Sequence, residues 1–212
     1  MSIYKHEEIY RGKENIKSLS GKRLVVCGVG AIGSNLIENL CRQGFDNFRA
    51  IDFDRIEDHN LNNQAFIEKD VGSYKSQIME DRVLDINRGD VDAVWKRLDK
   101  DNIKKYFTGA DLVVDCFDNV PSRKLVSDYC KKNKVPCLHL GVLTDFGEAV
   151  WEEKYSIEEP KEKPVDACDY PLARNIVMMV VILGSELILD YFFNNNKRSA
   201  IVTLKNLSVR HI

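Results

Sequence analysis

The sequence predicts an α/β protein in which helices flank a mostly parallel β-sheet. Two observations predict this fold class. A short apolar run, residues 22–28, enters a glycine-rich turn that opens a helical pattern. Farther along, apolar runs of strand length alternate with amphipathic segments up to residue 153. The length of 212 residues and the 44% hydrophobic content fit one globular domain with an ordinary core.

The glycine turn joins the first predicted strand to the first predicted core helix. Residues 31–43 place apolar side chains three and four positions apart, which is the spacing of an amphipathic helix, and Gly44 ends it. Residues 47–54 are predicted as the second strand, with Asp52 and Asp54 at its end. A strand, a crossover helix and a second strand form a right-handed parallel unit, which predicts a Rossmann-like sheet.

The rest of the chain repeats this alternation in looser form. We predict further strands over residues 92–98, 111–119, 135–142 and 144–153. Helices are predicted over residues 76–87, 121–133 and 176–193, and one or two short strands over residues 199–212. Residues 152–171 are charged, contain three prolines and show little periodicity, which predicts a long loop.

Composition argues against several classes of protein. The net charge of −2 creates no global field that would recruit nucleic acid or an anionic membrane. The charged amino terminus has no apolar segment, so we expect no signal peptide and a cytoplasmic protein. The apolar run 176–193 contains Glu186 and Asp190, which favours a core helix or a dimer-interface helix over a membrane span.

The six cysteines show no Cys-x-x-Cys pair and no Cys/His cluster, so we expect no zinc site. Four of them lie in apolar runs and are predicted to be buried thiols in a reducing compartment. Cys168 differs from these four because it lies on the polar loop.

Three glycines, Gly28, Gly30 and Gly33, form a Gly-x-Gly-x-x-Gly pattern at the start of the first core helix. In this place backbone N–H groups and the helix amino terminus face an anion. Asp52 stands 19 positions after Gly33, where a carboxylate accepts hydrogen bonds from ribose hydroxyls. The pattern alone also serves tight strand–helix packing, but the strand, the helix and Asp52 around it favour a nucleotide site.

The segment at the end of the second strand separates two kinds of nucleotide chemistry. A dehydrogenase usually continues from its ribose acid into a helix. Here the chain enters the polar run DFDRIEDHNLNNQAF, and Lys75 follows shortly after it. Carboxamides and carboxylates beside the expected phosphates disfavour a nicotinamide- or flavin-linked oxidoreductase, and dinucleotide binding would decide this alternative.

Taken in order, these motifs resemble those of the ThiF/MoeB/HesA adenylyltransferases, which are relatives of the ubiquitin-activating enzymes. That family has a glycine turn, then Asp-x-Asp, Asn-Leu-x-Arg-Gln, Gly-x-x-Lys and, after a later strand, Asp-Asn. The matching residues are Gly28, Gly30, Gly33, Asp52, Asp54, Asn60, Gln64, Gly72, Lys75, Asp118 and Asn119. The order and spacing hold from about residue 20 to residue 145, and more weakly beyond.

The resemblance implies a single domain over residues 1–212 that adenylates a carboxyl group with ATP and Mg²⁺. The implied substrate is a small ubiquitin-like or sulfur-carrier protein ending in Gly-Gly, and neither nucleic acid nor a membrane is required. Within the domain, residues 1–20 would form an amino-terminal arm and residues 152–171 the crossover loop. Residues 172–212 would supply a carboxyl-terminal helix and strands.

The resemblance also implies roles for single residues. Lys75 would hold phosphate charge as a mobile cation, and Asp118 would hold Mg²⁺. Asp52 would bind the ribose. Further nucleotide contacts would come from Asp54, Asn60, Asn63, Gln64 and Asn119. Plainer interpretations stay open, since Asp118 could cap the helix that begins near Pro121 and Lys75 could be a solvated lysine.

One position departs from the family pattern. The family arginine falls on Asn63, and a neutral carboxamide does not offset triphosphate charge as a guanidinium does. Either Arg55 or Arg123 substitutes for it, or activity is reduced or altered. A second family arginine comes from the partner subunit. Arg11 is the candidate here, and its use would make the protein an obligate homodimer.

Three further side chains have a chemical and a plain interpretation. Cys168 lies where some family members carry the cysteine that accepts the activated acyl group, but it could equally be an unused loop thiol. His59 is predicted to be a surface histidine although it precedes the nucleotide-binding asparagine. His139, which follows an apolar run, is predicted to be a satisfied core histidine rather than a catalyst.

Three functions therefore remain in competition. The first is adenylation of a carrier protein, with activation of a small-molecule or tRNA-bound carboxylate as a variant. The second is the oxidoreductase. The third is a nucleotide- or carrier-binding scaffold that lost turnover together with its arginine. The fold does not separate them, because function lies in the site.

Overall fold

A computed structural model gives the fold, and it describes residues 2–157 and 171–212. Within this part of the chain, eight strands form one sheet and seven α-helices flank it. The strands are β1 Arg23–Cys27, β2 Asn47–Ile51, β3 Asp90–Val94, β4 Leu112–Asp115, β5 Cys137–Leu143, β6 Phe146–Trp151, β7 Ala200–Thr203 and β8 Ser208–His211. The helices are α1 Lys5–Arg11, α2 Lys13–Leu19, α3 Ala31–Arg42, α4 Lys75–Asn87, α5 Ile103–Phe107, α6 Val120–Asn133 and α7 Arg174–Asn194.

The sheet is parallel over most of its width. Strands β3, β2, β1, β4 and β5 lie side by side in that order and run parallel, and β6, β7 and β8 extend the sheet antiparallel. The chain leaves β1 for β2 on one side, while β4 lies on the other. In sheets of this type the crevice at such a reversal binds ligands. The predicted Rossmann-like fold is confirmed.

Helices cover both faces of the sheet. Helices α3, α4 and α7 pack on one face, and α5 and α6 pack on the other. Successive residues of β1 enter the two cores in turn, because side chains alternate along a strand. Leu24 and Val26 lie in the core between the sheet and helices α3, α4 and α7. Val25 and Cys27 lie in the core between the sheet and helices α5 and α6.

Three parts of the structure differ from the sequence prediction. Strand β3 begins and ends earlier than the predicted strand 92–98, and β4 covers only the first half of 111–119, so residues 95–98 and 116–119 form loops. Helix α5 is not predicted, because five residues are too few to show a period. The described part of the arm forms α1 and α2, and it joins the core through the buried side chains of Ile16 and Leu19.

Helix α7 is the apolar helix predicted near the carboxyl terminus. By length and composition it could cross a membrane, but half of its most apolar window is buried inside the protein. It packs on β5, β6 and β7 and along α3. Gly147 permits this approach, because a Cβ there would lie 2.2 Å from Cγ2 of Val180. Packing on the sheet therefore accounts for one apolar side of α7, while Ile182 on another side is 56% exposed.

His139 lies at the centre of a buried polar network. Its Nδ1 atom is 2.8 Å from Oδ2 of Asp115 at the end of β4, and its Nε2 atom is 2.5 Å from Oε2 of Glu152 just after β6. The other oxygen of Glu152 accepts hydrogen bonds from Ser127 and Lys131 of α6. The prediction of a satisfied core histidine is confirmed.

The network holds a proton on His139. Both ring nitrogens face carboxylates, so both must donate. Burial alone would lower the pKa of His139, but the hydrogen bonds to Asp115 and Glu152 outweigh it and the pKa is raised. Burial alone would raise the pKa of Glu152, but hydrogen bonds from His139, Ser127 and Lys131 lower it. Charges buried in this way are tolerated only while each has its partner.

The glycine turn is where β1 and α3 approach each other most closely. Gly28 has a φ of +87°, and a Cβ there would lie 3.0 Å from the carbonyl carbon and oxygen of Cys116. A Cβ on Gly33 would lie only 1.9 Å from the carbonyl oxygen of Gly28. These two glycines therefore serve packing.

We expect the stability contributed by His139 to fall as pH rises. Its folded pKa is raised, so the contribution is complete below the unfolded pKa of about 6.5 and is lost as pH rises through the folded value. Urea unfolding of wild type and His139→Gln between about pH 6 and pH 9 measures it. The difference in free energy of unfolding should shrink at high pH. His6→Gln, on the exposed surface of α1, is the control. A pH-independent difference would contradict the assignment of the proton.

Gly33→Ala should destabilise the fold by about 1–3 kcal/mol or more, because its methyl group collides with backbone. Gly30→Ala is the matched control, since a Cβ there meets nothing within 4 Å. It should change the free energy of unfolding by less than about 0.5 kcal/mol. Urea titration measures the free energy of unfolding of both variants. Equal values for the two would refute the packing role of Gly33.

Candidate functional site

The open side of the glycine turn is the first component of the site. Gly30 precedes α3, and the space where its side chain would stand is empty of protein atoms. The N–H groups of the first turn of α3 have no acceptor within the helix, and the positive end of the helix dipole lies beside them. Ser34 closes the turn by donating its hydroxyl to the Gly30 carbonyl at 2.6 Å. This arrangement fits a phosphate group.

Asp52 connects the turn to the end of β2. Its Oδ2 atom accepts the Val29 N–H at 2.7 Å, and its Oδ1 atom accepts the Asp54 N–H at 2.8 Å. Burial raises the pKa of Asp52, although nearby Lys75 and the two N–H groups lower it in part. Each carboxylate oxygen keeps a second lone pair, so the side chain can still accept a ribose hydroxyl.

Lys75 begins α4 and is held beside Asp54. Its ammonium group lies 3.3 Å from Oδ2 of Asp54, and its side chain is only 8% exposed. The next residue, Ser76, donates its hydroxyl to the Asp52 carbonyl. Arg55 donates to the Gly72 carbonyl at 2.6 Å and lies 4.0 Å above the ring of Tyr74. Two cations therefore lie on the segment that follows the ribose acid.

The asparagine-rich segment is anchored on α3. Asn60 is buried, and its Oδ1 accepts the Glu57 N–H at 3.0 Å. The backbone carbonyl of Asn63 accepts from Asn35 of α3 at 2.9 Å. The Oε1 atom of Gln64 is buried and has no hydrogen-bond partner among the described residues. The fold thus brings Asn60, Asn63 and Gln64 to the flank of the glycine turn.

The loop between β4 and α6 completes the site. A side chain on Gly28 would touch Cys116 and Phe117, so the first residues of this loop lie against the glycine turn. Asp118 is exposed, and Asn119 caps α6 by accepting the Ser122 N–H at 3.0 Å. The helix cap is therefore Asn119 and not Asp118. Oδ1 of Asp118 accepts a hydrogen bond from Nδ2 of Asn119 at 3.3 Å, and the exposed carboxylate can still bind a ligand through Oδ2. Carboxylate and amide oxygens suit Mg²⁺, so the donor set fits this ion.

The predicted arginines have different surroundings. Arg123 is committed inside the protein, because it donates to the carbonyls of Phe117 and Leu140 and to the hydroxyl of Tyr155. Arg123 therefore has a structural role and does not replace the family arginine. Of the two candidates, Arg55 is better placed to contact a nucleotide. Arg11 pairs with Glu7 and Glu186 of its own chain. A role across a dimer would require it to exchange these partners.

Cys168 lies outside the described residues, so its role stays a prediction. Four of the other cysteines, Cys27, Cys41, Cys130 and Cys137, are buried. Burial raises the pKa of the Cys27 and Cys137 thiols, and it raises that of Cys41 to about 12. Such thiols are poor nucleophiles.

Two supporting parts of the site escape the sequence pattern. Ser34 and Asn35 of α3 hold the asparagine-rich segment, since Ser34 Oγ accepts the Ala65 N–H at 3.1 Å and Asn35 binds the Asn63 carbonyl. Both are polar residues directly after the glycine turn, next to the apolar positions Ile32, Leu36 and Ile37, and this is the signal that could have found them. Asp115 is the second part, and its position within an apolar strand is a similar signal.

Relatives in sequence share this region. The chain is 33% identical over 140 residues to the SAMP-activating enzyme E1 of Haloferax volcanii, which covers 65% of this chain and 52% of that protein. It is 34% identical to adenylyltransferase and sulfurtransferase MOCS3 of Caenorhabditis briggsae, over 59% of this chain and 32% of that protein. It is 30% identical to the tRNA threonylcarbamoyladenosine dehydratase of Escherichia coli, over 61% of this chain and 50% of that protein. The chain thus spans about half or less of these relatives.

Solved structures share the fold. A crystal structure of E. coli MccB with ATP matches all of this chain and 71% of its own, with a TM-score of 0.82 and 18% identity. MccB with MccA-N7isoASN gives a TM-score of 0.84, also at 18% identity, over all of this chain and 72% of that one. The model of the ThiF family matches residues 5–185. The chain belongs to the ThiF family.

Proposed function

We propose that this protein adenylates the C-terminal glycine carboxylate of a small ubiquitin-like or sulfur-carrier protein, with ATP and Mg²⁺. A carboxylate oxygen of the carrier bonds to the α-phosphorus, the bond from that phosphorus to the bridging oxygen breaks, and pyrophosphate leaves. The observation that carries the proposal is the assembly of the glycine turn, Asp52, Lys75 and Asp118 at one edge of the sheet.

The side chains would act by position and charge, because such a displacement needs charge neutralisation rather than a protein nucleophile. The amino terminus of α3 would face the phosphates, and Asp52 would accept the ribose hydroxyls. Lys75 can turn from Asp54 toward the leaving pyrophosphate, since a lysine is a mobile point charge. Asp118 would hold Mg²⁺, which neutralises phosphate charge when bound, and Asn119 would contact the nucleotide.

The carrier would dock on the face of the antiparallel strands opposite α7. The strand register puts Leu143, Phe146 and Thr203 in one row and Glu148, Ile201 and Arg210 in the next. A shallow groove on this face includes Ile201, Thr203 and Arg210. We further propose a homodimer formed through the exposed side of α7, where Ile182 lies.

A scaffold without turnover is the second candidate, and Asn63 favours it. Its side chain is uncharged, and its backbone carbonyl is fixed to α3 by Asn35. Losing a hydrogen bond from a charged group typically costs about 1.5–3 kcal/mol, or roughly 10- to 150-fold in binding. Arg55 therefore has to supply the missing charge if the protein turns over.

ATP–pyrophosphate exchange with purified protein, Mg²⁺ and carriers ending in Gly-Gly tests the proposal. We expect carrier-dependent exchange that Asp118→Ala lowers by about 100-fold or more, because phosphate charge loses its metal. Asp128→Ala on the exposed side of α6 is the matched control and should retain activity. Tight ATP binding without exchange for any carrier would favour the scaffold.

Cys168→Ser tests the proposed transfer to the loop. In the wild type the Cys168 thiolate would attack the acyl-adenylate and release AMP, giving a thioester adduct with the carrier that excess thiol cleaves by acyl exchange, as seen by intact-protein mass spectrometry. The variant should not form this thioester. Its pyrophosphate exchange should stay within about twofold, since adenylation precedes the transfer. An adduct of the variant that excess thiol cleaves as readily would exclude Cys168 as the acceptor.

A further inference from the structure

The position of Asp118 depends on how the backbone of Phe117, the residue before it, is held. The Phe117 N–H donates to Oδ1 of Asp115 at 3.1 Å, and the Phe117 carbonyl accepts from Nε of Arg123 at 2.6 Å. On the other side, Asn119 is fixed as the cap of α6. Asp118 is thus a single exposed residue between two fixed points.

We propose that His139 is a positioning residue for Asp118, acting through Asp115. His139 holds Oδ2 of Asp115 at 2.8 Å while Oδ1 of the same carboxylate holds the Phe117 N–H. Without the ring, Oδ2 of Asp115 loses its 2.8 Å partner, and the carboxylate that anchors the Phe117 N–H is held less firmly. The inference rests on the proposed function, in which Asp118 binds Mg²⁺.

The second anchor belongs to the same network. The ring of Tyr155 stacks on His139 with 3.7 Å between centroids and 8° between planes, and its hydroxyl accepts from Nη1 of Arg123 at 3.0 Å. Arg123 Nη1 also lies 3.8 Å from Oδ2 of Asp115. Both groups that hold the Phe117 peptide therefore contact His139 or its stacking partner.

The network is held by hydrogen bonds rather than by a metal ion. Cys137, His139 and Glu152 place ligand-type atoms within 4.8 Å of one another. However, the 2.5 Å between His139 Nε2 and Glu152 Oε2 is a hydrogen-bond distance, and two ligands of one zinc ion lie farther apart. The other oxygen of Glu152 is already bonded to Ser127 and Lys131.

Isothermal titration of Mn²⁺ into protein saturated with AMPCPP, a non-hydrolysable ATP analogue, tests the proposal without turnover. His139→Gln should weaken metal binding by about 10-fold, the lower end of the effect of removing a group bonded directly to a metal ligand, because His139 acts through Asp115 and Phe117. Metal-free nucleotide affinity should stay within about twofold of wild type, because the glycine turn is untouched. Ser127→Ala, which removes a bond on the far side of Glu152, is the matched control and should bind metal like wild type.

Tyr155→Phe provides a second variant if His139→Gln does not fold. It keeps the stacked ring and removes only the hydroxyl bonded to Arg123, so metal binding should weaken by about 2- to 10-fold. Hydrogen exchange of the amides in residues 116–119 should rise in either variant, while exchange in residues 28–33 stays unchanged.

The outcomes separate the inference from the function it rests on. If folded His139→Gln protein binds metal with wild-type affinity, the positioning role is overturned and the proposed adenylation is not affected. If only Tyr155→Phe folds, the same result in that variant overturns the positioning role. Metal and nucleotide affinity falling together also overturns it. Stoichiometric zinc in the wild type, lost in His139→Gln, would replace it with a metal site. A wild type that binds no metal with nucleotide contradicts the proposed function itself.

Discussion

The hydrogen bond from the Val29 N–H to the Asp52 carboxylate is the contact on which the site depends. It ties the glycine turn after β1 to the end of β2, at 2.7 Å. The same carboxylate holds the N–H of Asp54, whose side chain pairs with Lys75. One buried acid therefore fixes the glycine turn, the end of β2 and Lys75 relative to one another. Burial makes this arrangement rigid, because an unpaired acid there would be costly.

Charge balance is the second constraint on the site. Lys75 is partly neutralised by Asp54, and Asn63 stands where the family pattern has an arginine. Further positive potential comes from the amino terminus of α3 and from Arg55, which lies over Tyr74. A magnesium ion at Asp118 would add the largest single charge. The proposed chemistry is thus more dependent on the metal than it would be with a full set of arginines.

Sequence alone predicts the elements whose signals are local. The first strand, glycine turn, helix and second strand between residues 22 and 51 follow from apolar spacing and glycine placement, and the structure has them there, although β2 ends at Ile51 and not at the predicted residue 54. The His139 network could not be predicted, because Asp115, His139 and Glu152 meet only through the pairing of β4, β5 and β6. The commitment of Arg123 to backbone carbonyls is hidden for the same reason.

The most direct test of adenylation follows an oxygen atom. A carrier whose C-terminal carboxylate is labelled with ¹⁸O is incubated with the protein, ATP and Mg²⁺, and hydroxylamine then cleaves the acyl group. If the carboxylate attacks the α-phosphorus, the released AMP carries one ¹⁸O atom, because the acyl carbon–oxygen bond breaks. AMP without the label, or ADP as the product, would contradict the account.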